Sequence, residues 1–249
     1  MYKEETIRSM QLYFIRHAQS ANNALWADTG SDGGRSHDPE LTQTGKEQAR
    51  FLANFFKESK HDFERQGEQY PYHRPTGLSH IYCSLMVRAV ATGIPLAQAM
   101  DLPLQALEEI YEEGGIYTDD PETGLKTGLP GYGEAYFSEH YPDLLLPEAM
   151  NPAGWWSRDY EHPEQRLERA RRALENILKL HGGTQDQVAL ISHGGLYNLF
   201  IKELLGIQDK DRYWFAINNT GITRIDFNED WVGLVYCNRT DFLPGTLVT

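Results

Sequence analysis

Arg16-His17 ends an apolar run, Leu12-Tyr13-Phe14-Ile15, and Ser192-His193 ends another, Val188-Ala189-Leu190-Ile191. A neutral imidazole is a nucleophile for phosphorus, and a second imidazole can bind the charge that develops there. A guanidinium adds a planar fork of N–H donors that matches phosphoryl oxygens. The residue types therefore suggest a phosphate-handling site with one histidine as nucleophile and the other as charge binder.

These side chains need a scaffold that brings them together. Leu12–Ile15, His80–Ser84 and Val188–Ser192 read as buried strands. A loop rich in Gly, Ser and Asp covers residues 28–40. A helix is expected near Thr44, where Thr44-x-x-Glu47 has the form of a capping box, and Ala49, Leu52, Ala53 and Phe56 make its core stripe. A second helix is expected over Arg88–Met100, kinked or shifted by Pro95. Further helices are expected over Glu164–His181 and Gly194–Leu205, the latter closed by Gly206 in a left-handed cap. Ile222–Phe227 and Val232–Cys237 flank Asn228-Glu229-Asp230 as a hairpin. Strand–helix alternation predicts an α/β fold, a three-layer α/β/α sandwich with a mostly parallel sheet. Residues 1–249 read as one domain, with an inserted, lid-like segment over residues 114–165 where periodicity fades. Ligands of such sheets sit beyond the carboxyl ends of the strands, so Arg16, His17, Ser84 and His193 are expected on one rim. Gly194 and Gly195 would open a helix there, and their free amides suit an anion.

Bulk properties narrow the function. The net charge of -13 argues against nucleic acid or an anionic membrane as partner. Two cysteines, Cys83 and Cys237, make neither a disulfide framework nor a zinc-ligand cluster, and Cys83 reads as a buried small residue. No leader follows Met1–Glu5 and no run of about 18 apolar residues occurs, so a soluble cytoplasmic protein is expected. The segment 114–165 carries ten acids against two bases, Lys126 and Arg158. A lid of that charge would repel polyanions, and its Tyr132, Tyr136, Phe137, Tyr141, Trp155 and Trp156 read mainly as its own core.

Arg16-His17-Ala18-Gln19-Ser20-Ala21-Asn22-Asn23 resembles the R-H-G-x-S-x-x-N signature of the histidine phosphatase superfamily, the phosphoglycerate-mutase-like proteins of branch 1. Leu41-Thr42-Gln43-Thr44-Gly45-Lys46-Glu47-Gln48-Ala49 is similar to its L-T-x-x-G-x-x-Q-A. Ser84 to Arg88-Ala89, with Thr92, is similar to S-P-L-x-R-A-x-x-T, and Ser192-His193-Gly194-Gly195 to S-H-G-G. Ala18 and Leu85 depart from the family's Gly and Pro without removing a chemical group.

The resemblance implies a phosphohistidine on His17, with Arg16, Arg88, His193, Asn23 and Gly194 around the phosphate and no metal or other cofactor. It also implies a carboxylic acid for the leaving group; Glu112 fits the spacing best, with Glu109 and Glu113 as alternatives. Asn219-Thr220-Gly221 resembles a late pocket segment and reads equally as a turn. Arg35 and His37 read as surface-loop residues, and His61, His73, His80, His140, His162 and His181 as structural or surface. A metal-independent phosphomonoesterase acting on a small phosphorylated substrate is the leading reading. A mutase-type phosphotransferase and a non-catalytic phospholigand-binding module are the alternatives. The oligomeric state is not legible.

Overall fold

The computed structural model describes residues 10–66, 77–207 and 212–249, with the backbone alone over 60–66. Along the chain come β1 (Met10–Arg16), α1 (Ala21–Thr29), α2 (Gln43–Gln66), β2 (His80–Ser84), α3 (Val87–Met100) and β3 (Leu104–Leu107). Next are β4 (Tyr117–Asp119), β5 (Lys126–Gly128), α4 (Glu134–His140) and β6 (Leu144–Leu145). Then follow α5 (Pro163–His181), β7 (Gln187–Ser192), α6 (Gly194–Leu204), β8 (Ile222–Phe227) and β9 (Val232–Arg239). Among the described residues, seven strands form one mixed sheet in the order β6-β3-β2-β7-β1-β8-β9. The first five are parallel, and β8 and β9 are antiparallel to their neighbours.

The pleat of β1 explains the layers. Tyr13 and Ile15 face α2 and α3, among Leu52, Phe56, Ala89 and Val90. Leu12 and Phe14 face α5 and α6, among Ala170, Ile177, Leu196 and Phe200. A strand covered on both faces needs apolar residues at every position, which is why this run shows no alternation. No helix among the described residues is long and apolar enough to cross a membrane.

Several local expectations change. α2 begins at Gln43, and its first amides are capped by Thr42, whose hydroxyl accepts from the Gly45 N–H at 3.0 Å. Thr44 and Glu47 therefore form no capping box; Glu47 lies beside Arg50 instead. α1 was not expected, because it buries none of its residues and shows no stripe. α3 runs unbroken through Pro95 from a start at Val87. Segment 114–165 does more than cover the sheet, since its β6 extends the sheet beside β3. Phe137, Trp155 and Trp156 are buried, but in one core cluster with Ile15, Ile81 and Leu104 of the sheet and not in a separate core of the segment. Cys83 is buried and unpaired. Gly206 is left-handed, φ 64°, and its N–H and that of Ile207 close α6 on the Glu203 and Lys202 carbonyls. Residues 1–5, His73 and the side chain of His61 lie outside the described residues.

The loop after β1 is fixed from several sides. The Gln19 N–H donates to Gln48 Oε1 at 2.7 Å, and the Thr42 N–H donates to the Gln19 carbonyl at 3.0 Å. Gly45 lets that carbonyl approach, since a Cβ would collide with it. Gln48 is fully buried, and its Nε2 also donates to the Leu247 carbonyl and Thr249 Oγ1. Gln48→Ala strands those partners. The expected loss is about 2–4 kcal/mol in urea denaturation, with faster hydrogen exchange over residues 245–249. A loss below about 0.5 kcal/mol would show that the network is dispensable.

Candidate active site

The sheet register assembles the site. Arg16 on β1 pairs with Ser192 on β7, so His17 and His193 leave the sheet side by side. Their rings lie 5.1 Å apart between centroids. Cys83 on β2 pairs with Ile191, and Arg88 stands in the first turn of the following helix. Arg88 Nε donates to His17 Nε2 at 3.2 Å. The structure thus brings together Arg16, His17 and His193, as expected from their strand ends, and adds Arg88 from the helix that follows β2.

His17 has a defined tautomer. Its Nδ1 is 2.7 Å from the Ala18 carbonyl, which can only accept, so Nδ1 carries the hydrogen. Nε2 therefore bears the lone pair, consistent with its acceptance from Arg88. Burial, then the charges of Arg88 and Arg16, hold His17 well below the usual imidazole range. The ring is thus held in its neutral form with the lone pair on Nε2. Its loop is set by the Ala18 N–H, which donates to Thr92 Oγ1 at 3.0 Å, and by Asn219 Nδ2, which donates to the His17 carbonyl at 2.9 Å.

His193 is also fully buried and also neutral, held down by burial first and then by Arg88 and His17. Its protonated form is disfavoured in these surroundings. Neither of its nitrogens has a hydrogen-bond partner among the described residues. Arg16 donates from one terminal nitrogen to the Ile217 carbonyl at 2.7 Å, and its buried Nε has no partner among the described residues. These atoms form a nest of donors and imidazole edges suited to a tetrahedral oxyanion.

The carboxylates divide clearly. Glu112 accepts from the Glu113 N–H at 2.9 Å and from the Gly195 and Leu196 N–H groups at 3.3 Å. The anion over the start of α6 is thus the chain's own Glu112, and the Gly195 amide expected to be free is taken. Gly195 has no room for a Cβ against this carboxylate. The charge of Glu112 acts on both Arg16 and Arg88. Glu113 is pushed up by burial and by Glu112, but its carboxylate turns to Arg166 at 2.8 Å. Glu109 pairs with Arg172 at 2.9 Å on the outer side.

The side-chain oxygen of Asn23 is engaged within the protein, whereas the expected phosphate contact would come from its Nδ2. Its Oδ1 accepts from the Ser20 N–H and from Asn219 Nδ2, at 3.1 and 3.2 Å, and the pair caps α1. Arg35 lies over the Tyr117 ring at 4.3 Å and 3.7 Å from Asp119, so the 28–40 loop is docked on the β4–β5 hairpin. His37, His140 and His162 are exposed.

Sequence reasoning missed Asp38. This carboxylate is buried, sits 3.6 Å from a terminal nitrogen of Arg88 and accepts from the Val87 N–H at 3.1 Å. Burial pushes it up to about 7, against the pull of Arg88 and that amide. Above that pH the ionised group orients Arg88; below it the neutral acid resembles an amide. Asp38→Asn should lower kcat/KM roughly tenfold at pH 8 and converge with wild type below pH 6. Parallel pH profiles would show that Asp38 is not what orients Arg88.

Comparison with known proteins agrees with this geometry. The sequence profile of the histidine phosphatase superfamily (branch 1) matches residues 12–240. The adenosylcobalamin/alpha-ribazole phosphatase of Escherichia coli (strain K12) is 23% identical over 240 residues, covering 92% of this chain and 96% of the relative. The alpha-ribazole phosphatase structure from Shigella flexneri has a TM-score of 0.60 at 20% identity, covering 92% of this chain and 96% of that one. A phosphoserine phosphatase from Entamoeba histolytica, in complex with 3-phosphoglyceric acid, has a TM-score of 0.56 at 20% identity, covering 94% and 100%. The two structures share the fold, the profile spans both histidine motifs, and the chain belongs to branch 1 of the histidine phosphatase superfamily.

Proposed function

We propose that the chain is a metal-independent phosphomonoesterase working through a phosphohistidine on His17. Family membership carries the coarser statement, phosphatase or phosphotransferase chemistry. The observation that carries the finer one is the pair of bonds on the His17 ring. The Ala18 carbonyl fixes hydrogen on Nδ1 and Arg88 meets the lone pair on Nε2. A neutral ring with its lone pair beside two guanidinium groups is arranged for attack on a phosphoryl group. Arg16 and Arg88 supply the positive charge that the transferring oxygens need.

Each step balances. His17 Nε2 attacks phosphorus in line with the ester oxygen, and the P–O bond breaks as the N–P bond forms. Arg88 releases Nε2 and turns its donors to the phosphoryl oxygens. Glu112 takes up the proton that the monoanionic ester brings and passes it to the departing oxygen. Ionised Glu112 then takes a proton from water as that water attacks phosphorus, the N–P bond breaks, and inorganic phosphate leaves. His193 and Arg16 bind the equatorial oxygens throughout. Among the three acids, Glu112 is the one held over the start of α6, next to His193, while Glu113 and Glu109 are engaged by Arg166 and Arg172.

The substrate is a small phosphate monoester. Aromatic and cationic groups, Tyr117 with Arg35 and Lys126, form the wall beyond Arg88. The acids of segment 114–165 disfavour polyanions, so 2,3-bisphosphoglycerate should be turned over more slowly than monoesters of similar size.

Phosphate release from a panel of monoesters with EDTA present tests the proposal. The panel includes phosphoserine and alpha-ribazole phosphate, the latter after the relatives' names. His17→Ala should abolish release, and retained turnover would sink the nucleophile assignment. Product that is isomerised without release of phosphate would favour a mutase. Glu112→Gln should cost roughly 100-fold or more on alkyl phosphates, and far less on p-nitrophenyl phosphate, whose leaving group needs little protonation. Equal losses on both would assign Glu112 to binding.

A further inference from the structure

Opposite the catalytic rim, at the amino ends of the strands, other side chains converge. His80 opens β2, His181 ends α5, and Asp186 directly precedes β7. β2 and β7 are neighbours with His80 level with Val188, so the topology alone unites residues far apart in sequence. One nitrogen of each imidazole and one oxygen of Asp186 lie within 4.8 Å of one another. His181 Nδ1 is 2.9 Å from Asp186 Oδ2, and His80 Nδ1 is 4.0 Å from the same oxygen.

We propose that His80, His181 and Asp186 form a structural site for a divalent transition cation, zinc being the best match. Two imidazole nitrogens and a carboxylate oxygen are a donor set that zinc accepts, whereas magnesium and calcium favour oxygen alone. Donors at about 2.0–2.1 Å from a tetrahedral ion stand about 3.4 Å apart. His181 and Asp186 would move apart by roughly half an ångström to this spacing, and His80 would close on Asp186 by a similar amount. The His80 side chain is 37% exposed, so it can close without moving the core. Asp186 is 29% exposed, which leaves water access to a fourth position.

The surroundings support a bound cation. The Tyr82 hydroxyl is 3.0 Å from His181 Nε2. With a cation on Nδ1, the ring hydrogen sits on Nε2 and the phenol oxygen accepts it. Without one, Nδ1–H donates to Asp186 and the phenol donates to Nε2. A hydroxyl serves both tautomers by rotation, so His181 is paired either way. A plain His–Asp pair explains His181 and leaves His80 unexplained. The His80 ring packs 4.5 Å from that of His181, with Nδ1 also 3.0 Å from Ser79 Oγ, a contact the cation would replace. The cation would clip α5, β2 and β7 together. It lies at the far end of the strands from His17, so no catalytic step passes through it.

Zinc titration of EDTA-stripped, dialysed protein tests the site, by calorimetry and by thermal unfolding. Wild type should bind one equivalent, and Tm should rise by about 5 °C once zinc exceeds its Kd about 100-fold. Magnesium should do neither. His80→Gln and Asp186→Asn should each weaken zinc binding by roughly tenfold or more. Both should keep phosphate release at 25 °C, and Tyr82→Phe should weaken zinc binding to a lesser degree. A wild-type Tm unmoved by zinc would overturn the proposal. So would zinc binding that is undiminished in both variants, including zinc that inhibits release by sitting on the catalytic histidines.

Discussion

The 2.7 Å hydrogen bond from His17 Nδ1 to the Ala18 carbonyl decides which nitrogen is available for chemistry. A histidine can reach the carbonyl of the next residue only if the intervening backbone is turned. Here the turn is enforced by bonds from β7, α2, α3 and the segment before β8. The His17 N–H donates to the Ser192 carbonyl, Ala18 is held by Thr92, Gln19 by Gln48 and Thr42, and the His17 carbonyl by Asn219. Sheet register, helix packing and the segment around Thr249 all act on one imidazole tautomer.

Electrostatics follow from burial as much as from charge. Arg16, Arg88, His17 and His193 lie in a space with little solvent, so the imidazoles lose their protons and only the guanidinium groups stay charged. Two carboxylates balance them from opposite sides: Asp38 behind Arg88, and Glu112 across the start of α6. The amides of a helix N-terminus, ready-made for an external anion, instead hold an internal one that stands beside the phosphoryl position.

The elements that pack on both faces were legible because burial dictates period. β1, β7, α2 and α5 follow their apolar runs and stripes closely. α1 was invisible because it buries nothing, and β3 and β6 are too short to carry a pattern. The histidine and arginine motifs were legible because each sits at a strand end or first helical turn, where topology leaves little choice. Asn219 was ambiguous, and Asp38 was hidden in a polar loop, because their roles exist only through tertiary contact. Counting cysteines could not reveal His80, His181 and Asp186, whose proximity comes from the parallel pairing of β2 with β7. For Asn23 the motif position was legible, while the bonds of its side-chain oxygen to Ser20 and Asn219 depend on tertiary contact and were not.

Arg16 Nε and both nitrogens of His193 have no hydrogen-bond partner among the described residues. Polar groups buried in this way cost about 1–3 kcal/mol each until something meets them. An oxyanion that does so is, in effect, a missing piece of the hydrophilic core, and the fold gains from holding it. Inorganic phosphate has the same oxygens as the group being transferred. The pocket therefore faces a conflict between cohesion and turnover: every increment by which it welcomes its product delays the next cycle. Natural selection on such a protein acts on how incompletely its core is satisfied.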